Sequence, residues 1–160
     1  PDLILGSMVW KPSITVAAIV ETGGRFLLVE ESIDGRHVLN QPAGRVEPTE
    51  SLIAAVVRET LEETAWHFEP EWLLGVYPWR PPHGSRATLR FAFTGRVYDH
   101  EPARALDEPV VAVHWLRRED LLQPRLPLRT PLVLRCIDDY QAGRRLPLAA
   151  INDPPPWAAP

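Results

Sequence analysis

The chain has 160 residues, 45% of them hydrophobic and 24% charged, with a formal net charge of −4 at pH 7. This is the composition of an ordinary globular domain with room for a useful core. The mild negative charge excludes nonspecific binding to nucleic-acid polymers, which needs a basic surface. The longest apolar run, from Ile14 to Val20, is far too short to span a membrane. A single cysteine, Cys136, excludes an internal disulfide framework and points to a reducing cytoplasm.

Pro1 to Ser7 precede Met8, the one methionine, and read as an expression scar, so residues 8–160 are expected to form a single domain. Ser13 to Glu21 is β-branched and apolar and predicts a strand. Gly23-Gly24 then marks a hairpin turn, and Arg25 to Glu30 its second arm. After a turn at Gly35-Arg36, His37 to Asn40 predicts a short strand. Pro42 and Gly44 interrupt regularity. A helix is expected from Glu50 to about Thr64, with Thr49 as its N-cap and Glu50 at the positive end of the dipole. Trp72 to Trp79, Thr88 to Tyr98 and Val110 to Leu116 read as strands, with a loop at residues 80–85. Arg118 to Leu122 predicts one helical turn, and Pro131 to Tyr140 a second helix with Cys136 packed inward. The proline-rich tail from Asp153 should be extended. Strands before and after a helix indicate an α/β sandwich with a mixed sheet.

The first helix raises a chemical question. Advancing about 100° per residue places Ile53, Val57, Thr60, Leu61 and Thr64 on one face for the core. Glu59, Glu62 and Glu63 fall together on roughly the opposite face. Like charges at this spacing repel by about 0.2–0.5 kcal/mol per pair. Three carboxylates so placed predict a bound cation. A hard divalent ion such as Mg²⁺ takes oxygen ligands of this kind.

The segment from Gly44 through Glu50 to Arg58-Glu59-Thr60-Leu61-Glu62-Glu63-Thr64-Ala65-Trp66 resembles the Nudix box. Beyond the box, Ile14-Thr15-Val16-Ala17, Val29-Glu30-Glu31, Asn40-Gln41-Pro42-Ala43, Leu89-Arg90-Phe91 and Tyr140-Gln141-Ala142-Gly143 resemble the bacterial phosphatase NudJ group. The resemblance implies the Nudix α/β/α sandwich. It also implies Mg²⁺-dependent hydrolysis (with Mn²⁺ as a substitute) of pyrophosphate bonds in nucleoside di- and triphosphates and thiamine-pathway pyrimidine pyrophosphates. It adds the carbonyl of Gly44 to Glu59, Glu62 and Glu63 as metal ligands, and makes Arg58 an orienting partner for a catalytic glutamate. Glu59 is the candidate base, although family members differ over which glutamate acts. Glu50 takes either a family role or a dipole-compensating one. The box carries glycine where this chain has Ala65. Alanine there is either strained in a left-handed cap or the helix ends differently.

Outside the box, Glu108 is the candidate for a further ligand or base, preferred over Glu101 and Glu119 because Pro109 holds it extended. Trp79, Arg80 and Arg90 are candidates for contact with base or phosphate, and His83 is a weaker one in its loop. His37, His67, His100 and His114 share no ligand spacing, and Ser-His-Asp catalysis has no support. The expected partner is a small phosphoanhydride, bound by a monomer or homodimer. Two other readings stand beside this one. One is hydrolysis of ADP-ribose or another nucleoside diphosphate derivative, hinted at by Pro82 beyond the box. The other is a domain that binds nucleotides without turnover.

Overall fold

The computed structural model describes residues 11–82 and 86–152. The readings of residues 1–7, of His83 and of the tail from Asp153 lie outside them. Strands β1 (Ser13–Ile19), β2 (Glu21–Thr22), β3 (Arg25–Ile33), β4 (Arg36–Asn40) and β5 (Ala43–Arg45) precede helix α1 (Leu52–Thr64). Strands β6 (His67–Trp79), β7 (Thr88–Tyr98) and β8 (Val110–Leu116) follow, then a 3₁₀ turn (Arg118–Leu121), helix α2 (Leu132–Gln141) and the short β9 (Leu146–Pro147). One sheet is mixed, in the order β5-β1-β7-β6-β9, with β1 and β7 parallel. The other is antiparallel and places β3 between β4 and β8, with β2 on the same ladder.

The period of two along β1 builds the sandwich. Val16, Ala18 and Val20 pack with Ala55 and Val56 of α1, whereas Ala17 and Ile19 pack with Val133, Cys136 and Ile137 of α2. A strand buried on both faces reads as a continuous apolar run, and both helices therefore cover the mixed sheet from opposite sides. The α/β fold class is as expected, with the strands divided between two sheets.

Four local expectations change. The helix begins two residues late: Ser51, not Thr49, is the N-cap, its Oγ accepting the Ala54 N–H at 3.1 Å. It closes on Ala65 in the left-handed conformation (φ 58°), whose N–H donates to Leu61 O. An alanine there costs roughly 1–2 kcal/mol. The carbonyls of Glu62 and Ala65 are taken by the N–H groups of Asp107 and Glu101, which ties the 99–107 segment to the helix end. Residues 43–45, expected to be irregular, form β5 against β1. Strand β6 starts at His67 rather than Trp72: a bulge between Pro70 and Trp72 leaves Glu71 out of the register, and a second lies between Leu73 and Gly75. Gly95 is required opposite the first bulge, since a Cβ there would lie 2.0 Å from Glu69 O.

The fourth change matters for chemistry. The buried residues of α1 are Ala55, Val56, Thr60, Glu63 and Thr64, so Glu63 lies in the middle of the buried face instead of opposite it. Val57 and Leu61 are only half-buried. Small Ala55 lets the helix approach the sheet, and the face turned toward β5 is partly polar.

Candidate active site

Helix α1 crosses beside β5, and a cleft of about 710 Å³ opens there between the two sheets. Glu59 and Glu63 enter it from α1, Gly44 and Arg45 from β5, and Arg90 and Trp79 from β7 and β6. The carboxyl of Glu59 lies over Gly44 so closely that a Cβ on Gly44 would meet it at 2.0 Å. The glycine is therefore demanded by close approach rather than by its backbone angles.

Arg58 organises the helix surface. Its Nε and Nη2 donate to the two carboxyl oxygens of Glu50 at 2.7 and 2.8 Å, a bidentate pair. Nη1 donates to Glu59 and Glu62, each at 2.9 Å, and Nη2 also reaches Arg45 O at 3.1 Å. All five N–H groups of the guanidinium thus have acceptors. The contacts raise the basicity of Arg58 further, and Arg58 in turn holds Glu50 below the usual carboxylate range. Glu50 is accordingly a positioning residue: it anchors the arginine that holds Glu59 and Glu62.

The two cleft carboxylates behave differently. Burial raises the pKa of Glu59, with Arg58 opposing. Burial pushes Glu63 up to about 8; its hydrogen bond from Ala43 N–H at 2.8 Å opposes this, while the fields of Glu31 and Glu59 add to it. Acids crowded and buried in this way favour protonation unless a cation joins them.

The donor set fits a hard divalent ion. It is made only of oxygens: the carboxylates, the Gly44 carbonyl and room for water. Among the described residues no three acidic, histidine or cysteine side chains already converge on one point, because Arg58 draws Glu59 and Glu62 and the Ala43 N–H draws Glu63. Mg²⁺ keeps several waters and needs only one or two carboxylates from the protein.

Other expected residues divide. Trp79 lines the cleft and also packs on the core. Arg90 lines it and is buried. Glu62 reaches it only through Arg58. Glu108 does not enter: Pro109 lines the cleft, but Glu108 is exposed in the turn that the Val110 N–H closes on Asp107 O. Glu101 is occupied with His67 at 2.7 Å and Arg104 at 3.2 Å. Pro82 is exposed and does not line the cleft.

Three cleft groups were not anticipated. Glu31 on β3 is fully buried, ion-paired with Arg129 and hydrogen-bonded by Asn40 Nδ2 at 3.2 Å. Arg129 comes from a segment that runs beside β4, fixed by Leu39 N–H to Pro127 O and Arg129 N–H to Leu39 O, both 2.9 Å. Arg86 precedes β7. A glutamate at the end of an apolar strand was the one available signal for Glu31.

Comparison with known proteins agrees with this geometry. A model of the NUDIX domain matches residues 10–135. The phosphatase NudJ of Escherichia coli K12 is 38% identical over 144 residues, covering 90% of this chain and 93% of NudJ. A NUDIX hydrolase structure from Nitrosomonas europaea superposes with a TM-score of 0.87 at 44% identity, covering 91% of this chain and 99% of that one. An ADP-ribose pyrophosphatase from Streptococcus suis, 20% identical, shares the fold with a TM-score of 0.63, over 84% of this chain and 93% of that one.

Proposed function

The chain belongs to the Nudix hydrolase family and cleaves phosphoric anhydride bonds, and we propose that it does so with Mg²⁺, or Mn²⁺ in its place, held by Glu59, Glu62, Glu63 and the Gly44 carbonyl. The observation that carries this reading is the contact of the Glu59 carboxyl with a residue that has no room for a side chain, beside the buried Glu63. When bound, the ion supplies charge neutralisation at the phosphate oxygens and Lewis acidity toward water.

The remaining work falls to the chain itself, since phosphoryl transfer depends mostly on positioning and electrostatics. Glu59 accepts the proton of the attacking water. Burial makes its carboxylate more basic than an exposed one, and Arg58 opposes part of that rise. Arg58 fixes its direction and keeps Glu62 from turning to solvent. Arg90 holds substrate inside the cleft, and Trp79 offers a ring face to a base at the edge. Glu108 has no part in this reading.

The proposed substrates are nucleoside di- and triphosphates and thiamine-pathway pyrimidine pyrophosphates. Likeness to NudJ along nearly the whole chain supports them over ADP-ribose, for which the support is fold-level only. The single buried thiol agrees with a reducing cytoplasm, and no helix of the described residues is long and apolar enough to cross a membrane.

The test is a side-by-side assay of phosphate and pyrophosphate release, with Mg²⁺ and with EDTA, on simple nucleotides, a thiamine-type pyrophosphate and ADP-ribose. Clear preference for ADP-ribose overturns the substrate assignment. Binding without product from any diphosphate compound, at concentrated enzyme, overturns catalysis.

A further inference from the structure

Two buried side-chain atoms of the described residues have no hydrogen-bond partner, Thr15 Oγ1 and Arg90 Nε. Thr15 and Arg90 are direct neighbours in the β1–β7 register, and both line the cleft. Arg90 is only 7% exposed. Its partners are neutral: Nη1 donates to Gln41 Oε1 at 3.2 Å, Nη2 makes a long contact with Asn40 Oδ1 at 3.5 Å, and the buried Cys136 thiol also meets the guanidinium. Gln41 is itself fully buried and held by its donation to Val133 O at 2.8 Å, which aims its carbonyl at the guanidinium. Glu31, whose field reaches Arg90, is committed to Arg129 and Asn40.

A guanidinium buried without a carboxylate partner costs free energy that the fold gains nothing from, unless an anion joins it. Neutral amides satisfy part of its hydrogen bonding but leave its charge. The position is also informative. Thr15 pairs with Arg45 on β5 and with Arg90 on β7. Strands lie about 4.8 Å apart, so the Arg90 backbone stands about 10 Å from β5, where Gly44 meets Glu59. That span exceeds one phosphoryl group and suits a chain of them. Arg86, at the foot of β7, adds positive charge on the same side.

We propose that Arg90 docks a second phosphoryl group of the substrate, the terminal one of a polyphosphate chain lying across β5, β1 and β7, with the Thr15 hydroxyl donating to the same group. This rests on the cleft being the substrate site. It adds a rule of selection: a substrate with a free terminal phosphoryl group is favoured over one whose two phosphates are both esterified.

The probe is inorganic tripolyphosphate, titrated calorimetrically into the full chain in EDTA, so that no metal bridges it, with cytidine as the phosphate-free control. Wild type is expected to bind tripolyphosphate and not cytidine. Arg90→Gln should weaken that binding at least tenfold. Arg90→Lys, which keeps the charge, should restore most of it. Thr15→Val should weaken it less than Arg90→Gln, and it tests the same floor if circular dichroism shows Arg90→Gln unfolded. Equal affinity in wild type and the variants, or no binding by wild type, overturns the assignment. Cytidine binding that Arg90→Gln abolishes also overturns it, giving Arg90 to the base instead. Hydrolysis is not part of this readout. Loss of the catalytic reading with Arg90-dependent binding intact is therefore distinguishable from the reverse.

Discussion

Gly44 has no side chain because the carboxyl of Glu59 takes the space its Cβ would need, at 2.0 Å. Gly44→Ala keeps the carbonyl and the strand pairing but must push Glu59 aside. Turnover is expected to fall while the far-ultraviolet circular dichroism stays that of wild type; unchanged turnover would show that the contact has no part in the chemistry. Glu62→Gln and Glu63→Gln remove charge and keep shape. Changes in outer-shell partners of a metal site cost about 10–100-fold, so losses of more than about 100-fold in kcat are expected for these proposed ligands. Near-normal kcat in both would show that neither carboxylate takes part in turnover. The two variants should part company in stability. Glu63 is buried with a raised pKa, and its variant should melt higher than wild type in EDTA at pH 8. Glu62 is part-exposed on Arg58, and its variant should change little.

At the scale of elements, α1 shows what could be read and what could not. Its existence and its cluster of glutamates were legible, because spacing and composition act locally, whereas the exit at Ala65 stood open between a left-handed cap and another ending. Its buried face was not legible. Ranking residues by hydrophobicity selects Val57 and Leu61, but the helix packs by shape, through Ala55 and Val56, and turns Glu63 toward Ala43. The cap was misplaced for a similar reason, since Thr49 and Ser51 are both good caps by type. Measurement separates them: Ser51→Ala should cost about 1 kcal/mol, whereas Thr49→Ala should leave the denaturation midpoint almost unmoved. The reverse result would relocate the helix start. Arg129 lay beyond sequence reasoning altogether, because it meets Glu31 across 98 positions and owes its place to a bridge between residue 128 and β4. Glu108 lies outside the cleft on the opposite ground. An extended pre-proline residue was a sound local expectation, but the turn closed by Val110 leaves it in solvent.

For the whole molecule, the cleft sets acids against stability, and pH exposes the conflict. Glu63 has an ordinary value of 4.5 and is pushed up to about 8 in the fold, and Glu59 is raised as well. A group that holds its proton more tightly when folded contributes fully below its unfolded pKa. The contribution fades as pH rises toward the folded value. Glu50, lowered by Arg58, works the other way and is lost only as pH falls below about 4.5. Metal-free protein should therefore be most stable on the acid side of neutrality, and its melting temperature should decline between pH 5.5 and 8.5. A divalent ion among the same carboxylates favours their charged form, so Mg²⁺ should remove most of that decline. Its stabilising effect should grow with pH, and its binding should release protons near pH 7. Calorimetry in buffers of different ionisation enthalpy counts the protons, and melting curves in Mg²⁺ and in EDTA follow the stability. Glu63→Gln should flatten the EDTA curve without metal. A Mg²⁺-induced shift of the same size at pH 5.5 and 8.5, with no proton release, would mean that the ion binds away from Glu59 and Glu63.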